Sequence, residues 1–316
     1  MRSARSQSLI ETIDVSSWRV DEDFPIFPIG SKPKRLLRCP TVPVQPFLIP
    51  GHAYLFKVAH NWRVQQLWSE IIAYRIAAMI GFDVPRCFVA ADPEKGEVGA
   101  LVEFFYGYPG EPASARLVHA VDFLQRLRID LRSDRPHSIR TNLRLCRRLG
   151  LDTAIQWWGR LLTFDALIGN SDRHPENWGF LKQMPADRGT PTWTFAPAFD
   201  NGTSLGYELR DDRLREASRP DRLASYIDKG RHHCGWDSLS DAPTPHMALC
   251  RRFSEAYPEA KDDMRRLISF DTEQLAEIIE ECTRLDVSIL FTHDRARFVT
   301  ALVEARRQQL SLILGV

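Results

Sequence analysis

The chain holds 316 residues, of which 44% are hydrophobic and 26% charged. That is enough to bury one large core or two lobes, and it excludes a disordered tail. Lys and Arg number 42 against 41 Asp and Glu, a net charge of +1, so a globally basic nucleic-acid sheath is excluded as well. The cations are lopsided in kind, 35 Arg to seven Lys, which reads as a codon preference.

Six cysteines, at 39, 87, 146, 234, 250 and 282, show no C-x-x-C spacing. Residues 1–10 are polar and lack a signal peptide's apolar core, and no run approaches the roughly 18 apolar residues of a membrane span. These features predict reduced thiols in the cytoplasm and no membrane partner. The run His232-His233-Cys234, with His246 beyond it, invites a metal reading. Neighbouring side chains rarely converge on one ion, and no second Cys/His pair has zinc spacing, so no site is expected there.

In chain order, the first 50 residues are short apolar pieces broken by prolines at 25, 28, 33, 40, 43, 46 and 50, which predicts edge strands and turns. Residues 52–58 read as a strand. Residues 67–80 carry a helical stripe at 68, 71, 72, 76, 79 and 80, stopped by Gly81. Two strands follow, 86–91 and 98–105, separated by the turn Asp92-Pro93-Glu94-Lys95-Gly96. The Gly107-Tyr108-Pro109-Gly110 punctuation marks a connector. Beyond it, 115–128, 140–149 and 153–168 have helix-spaced apolar positions, and 178–182 with 192–195 read as a strand pair. A polar stretch runs from Asp200 to about 240, and 272–283 and 294–314 are the clearest helices of the tail. The segment 116–160 holds ten Arg against four Asp, read as a solvated helix face.

The chemistry concentrates in 165–181, DALIGNSDRHPENWGFL. A helix ends at Gly169-Asn170, and the loop after it packs Asp172, Arg173, His174, Glu176 and Asn177 together. Asp200 comes 23 residues after Asn177, just past the strand pair. A loop Asp, an Asn five residues on, a hairpin and a second Asp are the parts of a metal-dependent phosphotransferase. Mg²⁺ takes a carboxylate and an amide oxygen and otherwise keeps phosphate and water, while the remaining Asp accepts the proton of an attacking hydroxyl. Upstream, Lys57 sits alone in an apolar strand, and Glu70 follows 13 residues later in the next helix. A strand Lys held by a helix Glu and aimed at phosphates is the kinase arrangement. Ahead of both, Gly30-Ser31-Lys32-Pro33-Lys34 is a small basic loop able to meet phosphate.

These residues resemble the HipA-like kinases, the bacterial serine/threonine kinase family of toxin–antitoxin systems and its relatives, distantly similar to phosphoinositide-3-kinase-type domains. The run Gly169-Asn-Ser-Asp-Arg-His-Pro-Glu-Asn177 resembles the family's G-N-x-D-x-H-x-x-N catalytic loop, and Ala196-Pro-Ala-Phe-Asp200 its metal-binding P-x-x-D element. Tyr54-Leu-Phe-Lys57 is similar to the nucleotide-binding strand, and Gly99-Ala-Leu-Val-Glu103 to the approach to the hinge. The resemblance covers about 27–205. It implies Asp172 as catalytic base, Asn177 and Asp200 as Mg²⁺ ligands, and Lys57 on the ATP phosphates with Glu70 beside it. It also implies Gly30, Ser31 and Lys34 in the phosphate loop, Glu103 to Phe105 at adenine, and His174 on the nucleotide side. Autophosphorylation of Ser31 is implied as a self-inhibiting switch. Lys32 stands where the toxin-type loop carries Gln, and no counterpart of the longer toxins' extra N-terminal subdomain is expected in these 316 residues, so a toxin role is not implied.

The expected fold is therefore α+β, a two-lobed protein-kinase-like architecture with a small β-rich lobe at 1–108 and a larger, mainly helical lobe at 109–316. The expected activity is ATP- and Mg²⁺-dependent phosphoryl transfer to a Ser or Thr of a protein, with an antitoxin or regulatory protein as a further partner and no direct nucleic-acid contact. Two alternatives stand beside it. One is a small-molecule or lipid kinase with the same loop; the other is a pseudokinase binding module that uses the Arg-rich 116–160 surface. Trp157 and Trp158 are expected to be core packing.

Overall fold

A computed structural model describes residues 7, 11–21, 34–111, 115–131, 137–185, 189–237 and 243–316, with the backbone alone for 127–131. The N-terminal part is a six-stranded sheet with one helix on it. Strands β1 (Ile13–Asp14), β2 (Arg19–Val20), β3 (Lys34–Arg38) and β4 (Ala53–Val58) precede helix α1 (Gln66–Ile80), and β5 (Cys87–Asp92) and β6 (Glu97–Glu103) follow it. Their order is β1-β5-β6-β4-β3-β2. All pairs are antiparallel except β1 with β5.

Alternation along β4 splits its side chains between two environments. Tyr54, Phe56 and Val58 enter a small core with Trp18, Leu37, Phe47 and Phe88. Leu55 and Lys57 take the other parity, and they are the partly exposed pair of the strand. Gly99 lies opposite Val58 in register, and a Cβ there would stand 2.3 Å from the Lys57 carbonyl oxygen. Only glycine lets β6 approach the strand that carries Lys57 so closely.

Past the connector the chain is mainly helical. Strand β7 (Ala115–His119) leads into α2 (Ala120–Leu131), followed by α3 (Ile139–Arg148) and α4 (Ala154–Ile168). The pair β8 (Gly179–Gln183) and β9 (Thr192–Phe195) then joins β7 in a three-stranded antiparallel sheet. Short helices α5 (Leu214–Ala217) and α6 (Pro220–Lys229) come next, then the ribbon β10 (Arg231–His232) and β11 (Thr244–Pro245). Helices α7 (His246–Ala256), α8 (Lys261–Ile268), α9 (Thr272–Glu280) and α10 (His293–Leu314) complete the fold. Helix α4 is apolar almost all round and buried, which makes it central, with α7, α8 and α10 packed against it. Trp158 is fully buried there, and Trp157 stacks on Phe195. One continuous core runs from α1 through α4 to α10.

One expectation is corrected. The start of the predicted helix 115–128 is a strand, because Ala115–His119 pairs residue for residue with β8 and helix begins only at Ala120. The polar stretch after Asp200 holds α5 and α6, anchored by Leu214, Leu223 and Ile227. Gly30, Ser31, Lys32 and Pro33 lie outside the described residues, and Lys34 opens β3 directly opposite Lys57.

Candidate active site

Three segments meet at the mouth between sheet and helices: β4 with α1, the loop after α4, and the loop after β9. Lys57 forms an ion pair with Glu70 across the face of α1, and its Nζ donates to Asp200 Oδ1 at 3.0 Å. The other Glu70 oxygen accepts from the Asn201 backbone N–H at 3.1 Å, so one carboxylate ties α1 to both β4 and the Asp200 loop. Burial works against the Lys57 charge, but Asp200 and Glu70 outweigh it and hold the ammonium above its ordinary pKa. Asp200 has φ +60, the left-handed region that Asp tolerates better than most residues, and its side chain is 39% exposed.

The loop after α4 begins where Gly169 closes the helix at φ +70, with the Arg306 guanidinium 2.6 Å from where a Cβ would stand. Asp172 is held by its backbone. Its N–H donates to Asn170 Oδ1 at 3.0 Å, and its carbonyl accepts from the Asn177 side-chain amide at 2.7 Å and the His174 N–H at 2.8 Å. The Asp172 carboxylate is left to face the cleft, 47% exposed. Because Asn177 Nδ2 is engaged, its amide oxygen is the atom available to a cation. His174 accepts from the Glu176 N–H on Nδ1, which places its proton on Nε2, 4.0 Å from Asp172 Oδ1.

Behind this loop lies a buried hub. Arg173 and Asp165 are fully buried and paired through two bonds, Nη2 to Oδ1 at 2.8 Å and Nε to Oδ2 at 3.0 Å. The remaining Arg173 donors reach the carbonyls of Asn177 at 2.9 Å and Phe199 at 2.5 Å, and Asn201 Oδ1 at 2.6 Å. One guanidinium therefore fixes the loop of Asp172 and the loop of Asp200 relative to each other. His232 Nε2 lies 3.0 Å from Asp165 Oδ2. Burial would raise the Asp165 pKa, but the Arg173 charge and the His232 contact overcome it and hold the carboxyl down at about 2.

A cleft of about 370 Å³ brings together Lys34, Lys57, Asp172, His174 and Asp200. Glu70 lines the adjoining cavity, and Asn177 stands behind Asp172. Glu103 and Phe105 sit outside this cleft, at the end of β6. The Glu103 carboxylate accepts from Tyr108 Oη at 3.0 Å, and Phe105 stacks on Phe199, the residue before Asp200. The Phe104 N–H and carbonyl are engaged with Ala53 and His52, whereas Phe105 makes no backbone bond among the described residues. His232 and His246 point to different partners, Asp165 and the Asn170 carbonyl, so they do not share one ion.

Sequence reasoning missed the hub. Its signal was present in part: a lone Asp165 inside an apolar helix needs a buried partner, and Arg173 sits in the motif itself. Asn201 gave no such signal.

Sheet, hinge, cleft and helical part define an α+β, two-lobed kinase-like fold. The sequence model of the HipA-like C-terminal domain matches residues 30–289, and the chain belongs to that family. The fold is similar to the proinflammatory kinase CtkA of Helicobacter pylori, with a TM-score of 0.73 at 17% identity over 96% of this chain and 98% of that one. A looser likeness, TM-score 0.49 at 17% identity, joins 93% of this chain to 66% of a chain in the Shewanella oneidensis HipA, HipB and operator DNA complex. Among curated proteins no sequence match is found. The chain is thus a kinase-like protein, and no described helix is long and apolar enough to cross a membrane.

Proposed function

We propose that the protein is an ATP- and Mg²⁺-dependent phosphotransferase that moves the γ-phosphoryl group of ATP to a Ser or Thr hydroxyl of a protein. The observation that carries this reading is the single cleft shared by Lys57, Asp172 and Asp200, with Lys57 held by Glu70. Lys57 has three N–H donors; two carboxylates occupy two, and the third serves a phosphate oxygen. Asp172, pinned by its backbone and open at its carboxylate, takes the proton of the acceptor hydroxyl. The Asn177 amide oxygen and the Asp200 carboxylate are hard oxygen donors suited to Mg²⁺, which would neutralise phosphate charge when bound. Phe105 and Phe199 form an aromatic wall at the end of β6, and in this reading adenine meets the backbone of Glu103 to Phe105 beside it. Nucleotide bound there lies between the 1–108 and 109–316 lobes. The role of Gly30 and Ser31 concerns residues outside the described ones.

The test is calorimetric titration of ATP with and without Mg²⁺, on wild type and Asp200→Ala. The reading predicts tighter binding with Mg²⁺ and loss of that gain in Asp200→Ala. Equal affinity with and without the metal in wild type would contradict it.

A further inference from the structure

The acceptor side of the cleft carries an aromatic and cationic feature that the nucleotide reading does not use. Between β4 and α1 the chain makes a single 3-10 turn, Asn61–Arg63, entered through Asn61 at φ +54. This left-handed start carries a backbone cost for a residue other than glycine. The turn presents Trp62, 63% exposed and the sole exposed Phe, Trp or Tyr among the described residues. Trp, Tyr and Arg are the residues most enriched at contact hot spots, and all three meet here.

Two contacts fix this side chain. Its ring stacks on Tyr207 at 6.2 Å and 25°, which joins the turn to the loop that follows Asp200. The Arg63 guanidinium lies 4.7 Å from the Trp62 ring centroid. Arg63 and Tyr207 both line the cleft that holds Asp172 and Asp200, while Trp62 lines the adjoining cavity beside Lys57. The platform therefore borders the reacting groups. The hinge aromatics lie on another edge, with Phe105 stacked on Phe199. Phosphoryl transfer places the attacking hydroxyl and the leaving ADP on opposite sides of the phosphorus. With adenine at the hinge, the hydroxyl enters past Trp62 and Tyr207.

We propose that Trp62, Arg63 and Tyr207 form the docking site for the acceptor, and that the acceptor is an extended protein segment carrying a carboxylate beside its Ser or Thr. This rests on the phosphotransferase reading above and adds to it where the acceptor docks and what charge it carries. The aromatic pair packs against a peptide's apolar and backbone groups, and Arg63 takes one carboxylate. A phosphodiester chain fits less well, because its successive charges would run against Asp172 and Asp200 in the same cleft. A lipid surface would need apolar neighbours around Trp62, and among the described residues the other exposed large hydrophobics are Val20, Val42, Val44, Leu290, Leu312 and Val316. None of them lines either cavity.

The experiment uses the full chain with Mg-ATP and two serine peptides of equal length, one with Glu and one with Lys around the serine. Wild type should prefer the Glu peptide. Trp62→Ala should raise the peptide KM about tenfold, the size of losing an aromatic anchor, while the KM for ATP stays. Arg63→Glu should move the preference toward the Lys peptide. Equal use of both peptides, an unchanged peptide KM in Trp62→Ala, or a parallel rise in the KM for ATP would overturn the docking site. Labelling of phosphatidylinositol vesicles or of an oligonucleotide in place of both peptides would overturn the substrate class. Failure of wild type to bind Mg-ATP would instead overturn the phosphotransferase reading, a separate result.

Discussion

Two charged clusters lie within one loop of each other and are built on opposite terms. Around Lys57, side-chain exposure is 16% for the lysine, 8% for Glu70 and 39% for Asp200, and the cluster opens on a cleft. Around Arg173 it is zero for the arginine and zero for Asp165, and every bond runs to protein. A pair that opens on a cleft has a side from which another partner can enter, whereas a fully enclosed one is costly to break and has nowhere else to go. The first arrangement suits groups that, in the proposed reading, accept a nucleotide and a metal. The second suits a frame that keeps Asp172 and Asp200 in register. Lysine and arginine are divided in the same sense, a compact ammonium at the cleft and a planar fork at the hub.

The largest effect should come from breaking the frame. Arg173→Ala leaves Asp165 buried without its countercharge and should destabilise the protein by about 3–5 kcal/mol, measured by denaturant unfolding. A variant that unfolds like wild type would show that the hub does not hold the two loops. Arg173→Lys should lie between the two, since one ammonium cannot reach all the acceptors the fork reaches.

Lys57→Met sharpens the comparison from the other side. The apolar stem is preserved and the phosphate contact removed, so turnover should fall about 10²–10³-fold, as for loss of a transition-state charge contact. Thermal unfolding should change far less than in Arg173→Ala. If the two variants lost stability equally, the distinction between an exchangeable and a fixed cluster would fail.

A smaller effect concerns acid. His246 donates through Nε2 to the Asn170 carbonyl at 2.8 Å, and burial, with Arg306 and His232 nearby, holds its pKa down at about 3. An unfolded histidine titrates near 6.5. Between those values the unfolded chain binds a proton that the native chain refuses, so stability falls as pH drops, by about 1.4 kcal/mol per pH unit per group. His137, buried against His233 and bonded by Trp178 Nε1 at 3.1 Å, is also held well below its ordinary pKa and adds a second proton. His246→Gln should make the stability-versus-pH line between pH 6 and 4 shallower by one proton. An unchanged slope would mean that His246 takes up its proton in the native state. Asp165 does not enter this window, since its contribution is lost only below the ordinary carboxylate range.

Much of this architecture could be read along the chain, because the informative signals were local. The α1 and α4 helices are marked by apolar spacing and by a closing glycine, and the run 169–177 concentrates its polar residues within one loop. The strand β7 was hidden because Leu117, Val118, Val121 and Leu124 are spaced as a helix would space them. Its pairing with β8 is a non-local fact. The same holds for the hub, whose members come from 165, 173, 199, 201 and 232. Helix α5 is a single turn, and α6 shows helical spacing only in Leu223, Tyr226 and Ile227, a stripe too short to stand out from its polar surroundings. Lys57 could be singled out as a charge in an apolar strand, but the Asn201 N–H that completes Glu70 is a backbone group and has no sequence signature.

The central claim is that this cleft transfers phosphate with Asp172 as the base. The most direct measurement is transfer of label from γ-labelled ATP to protein acceptors in a host lysate, compared between wild type and Asp172→Ala at saturating Mg-ATP. The account predicts labelled Ser or Thr with wild type and a rate lower by about 10²–10⁴-fold in Asp172→Ala, with ATP affinity nearly unchanged. Full transfer by Asp172→Ala would contradict it and turn attention to His174.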